Sequence, residues 1–393
     1  MKRFGEAMRV FDHRRGLLRA ICFFLIIIIL TAGLWPFNFF PPNKVKWLPD
    51  TNGIQIYGQG IIFSASPGWK QGNLLFPDGE MTLELWLYPH QETSNLPAVL
   101  SFYDGLNPDI FSLGQWKSHL VIRSRTADQR NRKSGKGYQE IGYRNALLKN
   151  KDVFITVVSE KNGTAIFING RRAKDYPRYR LLKGVTSRDI RLVMGNSPAG
   201  QGYWPGNILG MAVYHRALTP DEVAGNYLSW MLNDPYSLKK EKSLVGLYPF
   251  YEREGNIVRN VIRPDDVLMI PDVFKPLRKI VLSTYRQNDS KWRDSFSHDI
   301  VVNILGFIPW GFFFCMLLLK QTDCRRTTVC LLTIMAGIGL SLLVELTQAC
   351  LPARDSSLVD LVNNMVGTFI GVFIVNAFVK SRHPGENRGP VLL

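Results

Sequence analysis

The sequence predicts a multi-domain membrane protein in which an antiparallel β-sandwich is inserted in a four-span α-helical membrane bundle. Three observations predict this. Apolar runs long enough to cross a bilayer sit near the two ends of the chain, one before residue 41 and three after residue 298. Between them the hydrophobic period changes to two, with Gly, Asn and Pro separating short runs. The five cysteines are Cys22, Cys315, Cys324, Cys330 and Cys350, and none lies between 23 and 314. The middle therefore has no disulfide framework and no thiolate metal site.

The first span is predicted over 17–40. After Arg19 the run "LLRAICFFLIIIILTAGLWPFNFF" carries no charge for about 20 residues, which at 1.5 Å per residue crosses a hydrocarbon core. It follows a basic segment, 1–16. No small-x-small cleavage site follows, and Trp35, Phe37, Phe39 and Phe40 form an interfacial aromatic belt, so the run reads as an uncleaved anchor. The later spans are predicted at about 300–319, 328–349 and 358–379, with a tail over 381–393. Lys320, Arg325 and Arg326 follow the second span, and Lys380, Arg382 and Arg388 follow the fourth. The positive-inside rule then places both chain ends in the cytoplasm of a bacterial cell and residues about 41–298 outside it. The formal net charge is +16, and residues 40–298 hold 35 Lys and Arg against 24 Asp and Glu. A basic surface suits nucleic acid, anionic lipid heads or acidic polymers, and an extracytoplasmic placement removes nucleic acid.

In the middle, "MTLELWLYP" (Met81–Pro89) alternates apolar and polar residues. "DVFITVV" and "TAIFING" flank "SEKNG", a hairpin turn, and "IRLVMGN" and "GNILGMAVYHRAL" add strands. Thr219-Pro220-Asp221-Glu222 is a capping box that starts a helix. Residues 236–298 read as a linker, with "PDVFKPLRKIVLSTYRQ" as an interfacial helix. Asp104 and Asp109 in "FYDGLNPDIF" are candidate calcium ligands. Trp69, Trp116 and Trp204 are candidates for stacking on sugar rings or for core packing. The run Arg123–Tyr138 reads as a basic hairpin loop.

The spans also carry polar residues, each costing ~2.5–3.5 kcal/mol if charged at mid-membrane. Asp299 and Asn303 are four apart. Glu345 and Gln348 are three apart. Asp360 and Asn364 are four apart, and Arg354 and Asp355 lie in the turn before them. Such spacings put each set on one helix face, and all three sets fall at the outer end of their helices. They predict either an interhelical polar clamp, with Arg354 neutralising a carboxylate and Asn or Gln bridging helices, or a polar pocket in the membrane bundle open to the outer leaflet, whose carboxylates hold a cation or protonated ligand and whose Arg and amides hold a head group or phosphate. Nucleophilic catalysis has little support, because Ser356 and Ser357 have no histidine beside them in sequence.

Two resemblances follow from these residues. "MTLELWLYP", "VFITVVSEKNGTAIFINGRR" and "VMGNSPAGQGYWPGNILGMAVYHRALTPDEV" resemble, in order, the laminin-G-like, concanavalin A-like lectin family over about 60–235. That resemblance implies a jelly roll, carbohydrate or protein binding, and in many members calcium. The catalytic members use Glu-x-Asp-x-x-Glu on one strand; here only Glu84 occupies "LELWL", which disfavours glycoside hydrolysis. "HDIVVNILGFIPWGFF", "LLVELTQACLPARDSSLVDLVNNMVGTFIG" and "LWPFNFFP" resemble the VanZ-like membrane family, specifically over 298–380. Asp299, Asn303, Gly306, Pro309, Gly311, Glu345, Gln348, Arg354, Asp360 and Asn364 occupy that family's pattern. The resemblance implies an association with teicoplanin resistance and no defined activity. The expected role is binding or modulation of cell-envelope glycans or lipid-linked precursors, with membrane lipids as neighbours. The alternatives are a membrane enzyme acting on a lipid-phosphate substrate, and a structural anchor for the sandwich.

Overall fold

The computed structural model describes residues 15–65, 76, 79–105, 110–125, 138–182, 190–200, 202–279, 281–283, 292–352, 354 and 356–382. The chain divides into two compact units. One is formed by residues 40–278 and the other by 1–39 with 279–393.

The first unit is built from β1 (Val45–Trp47), β2 (Ile54–Ile56), β3 (Ile62–Ser64), β4 (Met81–Pro89), β5 (Ala98–Tyr103), β6 (Phe111–Trp116), β7 (His119–Arg125), β8 (Tyr138–Tyr143), β9 (Val153–Glu160), β10 (Gly163–Ile168), β11 (Arg171–Pro177), β12 (Arg191–Met194), β13 (Gly206–Tyr214), β14 (Leu244–Tyr248), β15 (Ile257–Val258) and β16 (Leu268–Met269). They form two antiparallel sheets. One runs β1-β2-β13-β4-β9-β10-β11, with β14 also pairing β13; the other runs β15-β16-β3-β12-β5-β6-β7-β8. Alternation along β4 sets the layering. Met81, Leu83, Leu85 and Leu87 enter the core between the sheets with Ile155, Val157, Phe102, Phe111 and Leu113. Trp86 faces the opposite side of its sheet, where Phe154, Tyr214 and Leu247 meet Val223 and Trp230 of a covering helix, Pro220–Met231. That helix is α2, following α1 (Arg15–Leu34) in the other unit. Its capping box is formed: Thr219 Oγ1 accepts from Glu222 N at 3.3 Å, and Glu222 Oε2 accepts from Thr219 N at 2.8 Å.

The segment read as a linker is corrected here. Residues 244–269 supply β14, β15 and β16, so both sheets recruit strands beyond residue 235. Strands of two residues are too short to show a period, which is why they escape a pattern search. Residues 271–279 of the expected interfacial helix are not helical; Val273 bridges Pro42, and Phe274 N donates to Pro41 O. Residues 284–291 lie outside the described set.

The second unit holds α1, α3 (Trp292–Gln321), α4 (Arg326–Cys350) and α5 (Leu358–Arg382). All four contain stretches long and apolar enough to cross a membrane: Arg15–Leu34, Ile300–Gln321, Arg326–Cys350 and Leu358–Phe378. Glycine decides how closely α3 and α5 approach. A Cβ at Gly311 would fall on Thr368 O, one at Gly367 on Ile304 O, and one at Gly371 on Ile308 O. Gly367 and Gly371 form a small-xxx-small pair of the kind that lets membrane helices touch along their backbones.

Candidate functional site

The polar side chains of the bundle converge at the end formed by the C-termini of α1 and α4 and the N-terminus of α5. Glu345 is 2% exposed. Its Oε2 accepts from the backbone N–H of Ser357 at 2.7 Å. Ser357 precedes α5, and its Oγ accepts from Asp360 N at 3.3 Å. A carboxylate here meets the unfilled N–H groups and the positive dipole end of a helix, which compensates its burial among apolar residues. Ser356 lies within hydrogen-bond reach of Glu345, and Asp360 within electrostatic reach. One turn into α5, Asn364 is 4% exposed and its Nδ2 donates to Ser341 Oγ of α4 at 2.9 Å.

Gln348 and Arg354 do different work. Gln348 Nε2 donates to Gly33 O at 2.8 Å, and Arg354 Nε donates to Trp35 O at 3.0 Å. Both satisfy carbonyls at the C-terminal end of α1, where a cation is favoured. Among the described residues the partner of Arg354 is a main-chain oxygen, whereas the side chain of Asp299 and all of Asp355, two carboxylates it was expected to reach, lie outside the described set. Lys279, absent from the sequence-based site, donates to Leu351 O, Pro352 O and Arg354 O at 2.9, 3.1 and 3.2 Å. Beside it, Leu282 N donates to Ser356 Oγ at 3.0 Å and Leu358 N donates to Ser283 O at 3.1 Å. Lys279 sits in a stretch whose spacing imitates a helix, and that periodicity hid its role as a cap.

Asn303 is half-buried on α3. The side chain of Asp299 and all of Asp355 lie outside the described set. Among the described residues, Asn363 Nδ2 and Asn364 Oδ1 are buried with no hydrogen-bond partner. Leaving such atoms unfilled costs about 1–3 kcal/mol each. One donor and one acceptor are thus buried and unfilled on α5 in the turn that follows Asp360.

The sandwich has its own buried carboxylate. Glu84 is fully buried beneath α2. Its Oε1 accepts from Asn226 Nδ2 at 2.9 Å, and its Oε2 accepts from Tyr214 Oη and Trp230 Nε1, both at 3.2 Å. Burial pushes its pKa up to about 7, against the pull of those three hydrogen bonds. Burial, then the charge of Glu84, pushes Tyr214 well above the usual tyrosine range. Sealed on all sides, Glu84 clamps α2 to its sheet and cannot meet a substrate. Nearby, Arg216 bridges Glu222 at 2.7 Å and Glu241 at 2.9 Å. Its hydrogen bond lowers Glu222 to about 2 and also lowers Glu241.

Of the calcium candidates, Asp104 is half-buried and Asp109 lies outside the described set. Among the described residues, no three His, Cys, Asp or Glu side chains group as metal ligands. Of the tryptophans, Trp204 is fully buried, with its Nε1 donating to Gln115 Oε1 at 2.6 Å. Trp116 is 45% exposed, and Trp69 lies outside the described set.

The concanavalin A-like lectin/glucanases superfamily profile matches residues 64–224. The VanZ/LLP1 profile matches residues 247–379. The chain joins a lectin-type domain to a VanZ-like domain. The VanZ match begins inside β14 and omits α1, although Gly33 and Trp35 at the end of α1 receive the side chains of Gln348 and Arg354. No curated protein matches the sequence. Among solved structures, a putative carbohydrate binding protein from Bacteroides ovatus is 12% identical with a TM-score of 0.38, over 59% of this chain and 62% of that one. A Trypanosoma rangeli sialidase in complex with sialic acid is 16% identical with a TM-score of 0.36, over 49% of this chain and 29% of that one. The binding domain of Botulinum neurotoxin DC, in complex with rat synaptotagmin II, is 16% identical with a TM-score of 0.35, over 48% and 45%. The chain spans less than two thirds of the length of each of these structures.

Proposed function

We propose that this VanZ-like protein lies in the bacterial cytoplasmic membrane with its sandwich outside the cell. In this reading the sandwich binds envelope glycan, and the polar end of the bundle binds the head group of a lipid-linked glycan precursor in the outer leaflet. The observation that carries the reading is the gathering of Glu345, Gln348, Arg354, Asp360 and Asn364 at the bundle end that lacks the Lys and Arg excess, in a chain that also carries a lectin-type fold. The unfilled Asn363 Nδ2 and Asn364 Oδ1 supply a donor and an acceptor for a sugar hydroxyl or phosphate. Arg354 adds a charge complementary to phosphate.

The test uses the full chain in lipid nanodiscs doped with a polyprenyl-diphosphate-linked disaccharide, with retention read by native mass spectrometry. Wild type retains the lipid, and Asp360→Asn and Asn364→Leu lose it while keeping their helical spectrum. Equal retention by folded variants rejects the head-group site. Release of a cleaved product would instead favour a membrane enzyme. Orientation is read separately: a cysteine at Ser134 reacts with an impermeant thiol reagent in spheroplasts and Cys324 does not, and the reverse pattern rejects the topology.

A further inference from the structure

The hairpin joining β6 to β7 presents an indole on a backbone that is tied at every point. Trp116 pairs with His119 across the turn, and their rings lie 5.6 Å apart. The turn residue Lys117 has φ of 54° and neighbouring Asn145 has φ of 57°, left-handed conformations that cost a lysine more than an asparagine and need compensation from their surroundings. The compensation is visible. Lys117 N donates to Thr93 O at 2.6 Å. The buried Gln115 Nε2 donates to Lys117 O at 2.6 Å and to Gln91 O at 2.9 Å. Ser118 Oγ donates to Asn145 Oδ1 at 2.8 Å, and Leu147 N donates to Ser118 O at 2.9 Å. A hairpin held this firmly, with a half-exposed tryptophan at its end, is a preorganised platform rather than a fluctuating tip.

The groups around the ring define what it takes. Lys117 Nζ stands 5.2 Å from the indole centroid. Asn145 N donates to His119 Nδ1 at 3.1 Å, so Nδ1 is an acceptor and the ring N–H sits on Nε2. The three segments 89–95, 116–119 and 143–152 carry Lys117, Arg144, Lys149 and Lys151 against Glu92 and Asp152. Among the described residues, none of these six forms an ion pair. An apolar face, a ring N–H and cations outside any ion pair together match a pyranose ring that bears a carboxylate: the ring's C–H face stacks on Trp116 in place of the Lys117 ammonium now over the indole, and that ammonium meets the acid together with Arg144.

We infer that the Trp116–His119 hairpin is an acidic-sugar site, an inference that rests on the glycan-binding reading of the sandwich and gives it an address. The experiment measures binding of the full-length protein in nanodiscs to polygalacturonate, to its fully methyl-esterified form, and to a panel of neutral polysaccharides. Wild type binds polygalacturonate more tightly than the ester. Trp116→Ala weakens both by about tenfold or more. Trp116→Phe retains most of the affinity, and Arg144→Gln weakens the acid without affecting the ester. Because Trp116 is exposed, the variants keep the wild-type melting curve. If wild type binds a glycan but Trp116→Ala binds it equally well, the hairpin is the wrong address and the sandwich reading survives. Equal affinity of wild type for acid and ester overturns the acidic class. If wild type binds none of the polymers, the platform and the glycan reading fall together.

Discussion

The two units of this protein bury the same chemical group with different partners. Glu84 of the sandwich is surrounded by side chains: Asn226, Trp230 and Tyr214 each donate to it. Glu345 of the bundle is answered first by the main chain, through Ser357 N, with the Ser356 hydroxyl beside it. The contrast extends to packing. The sandwich core is filled by large residues such as Phe102, Phe111 and Trp204, whereas α3 and α5 meet through Gly311, Gly367 and Gly371. In water, burying a large apolar side chain stabilises by roughly 1.5–3 kcal/mol. In lipid that gain is absent, and close backbone approach with satisfied polar ends takes its place. The bundle should therefore be most sensitive at glycines and backbone caps, and the sandwich at buried side chains.

The largest effect expected from this contrast is at Gly371. A leucine there would drive its side chain onto Ile308 O and Phe312 N, and backbone cannot yield as a flexible side chain can. Overpacking typically costs about 1–3 kcal/mol, and a clash with backbone belongs at the upper end of that range. Loss of helical signal at 222 nm on heating the detergent-solubilised protein should shift sharply downwards. Gly225→Ala on α2, where nothing lies within 4 Å, should instead stabilise slightly through helix propensity. A tolerated Gly371→Leu would remove the packing half of the contrast.

The second effect separates the carboxylates by pH. The pKa of Glu84 is raised from 4.5 to about 7, so the folded sandwich holds a proton that the unfolded chain has released. The stability linked to Glu84 is fully present below pH 4.5 and is lost as pH rises through about 7. Its magnitude is about 3 kcal/mol at one pKa unit per 1.36 kcal/mol. Glu222 and Glu241, lowered by Arg216, act in the other direction: their contribution is present above the ordinary carboxylate range and is lost as pH falls, through about 2 for Glu222. Near-ultraviolet melts of the sandwich should thus show a maximum near pH 4.5–5 from these groups. Glu84→Gln should flatten the upper limb only. Its amide can still accept from Asn226 but cannot accept from Trp230 at the same time, so the variant is weaker at pH 5. An unchanged upper limb would show that Glu84 is not the titrating group.

The pattern of legibility follows the same physics. The strand Met81–Pro89 shows alternation because one face enters the core and the other faces α2. The capping box at Thr219 is local chemistry and is readable from four residues. Strands β14 to β16 were not readable, since Leu244–Tyr248 is buried throughout and the other two span two residues each. In the bundle, helical spacing brought Glu345, Gln348, Asp360 and Asn364 to one region, yet it could not name their partners. Three of the main-chain partners at this end, Ser357 N, Gly33 O and Trp35 O, illustrate why: the sequence carries no mark of which backbone group a side chain will reach.

A smaller effect is expected at Lys279. Its ammonium meets three carbonyls of the α4–α5 connection. Lys279→Met keeps the stem and removes the donors, at a cost of about 2 kcal/mol for a hydrogen-bonded charge. Lys279→Arg should recover part of that loss, because a guanidinium can still reach more than one carbonyl. A melt of Lys279→Met identical to wild type would show that the connection is held without it.

The smallest expected effect is a coupling energy, and it is the sharpest test of how the bundle handles charge. If Arg354 neutralised Glu345, removing the arginine would strand a buried carboxylate at about 3–5 kcal/mol, and adding Glu345→Gln would restore much of the loss. The structure gives the two side chains different partners: Arg354 reaches Trp35 O, and Glu345 receives Ser357 N. Each substitution then removes or weakens a hydrogen bond to a charged group, about 1.5–3 kcal/mol where it is lost outright. The amide introduced by Glu345→Gln keeps an oxygen for Ser357 N, so this should be the milder change. Arg354→Ala should release the end of α1 and leave the α4–α5 turn intact. With no shared partner, the double variant should equal the sum of the singles within about 0.5 kcal/mol. A double variant that is markedly more stable than that sum would mean that the two charges meet in the membrane. The bundle would then be using the same side-chain pairing as the sandwich, and the contrast between the two units would collapse.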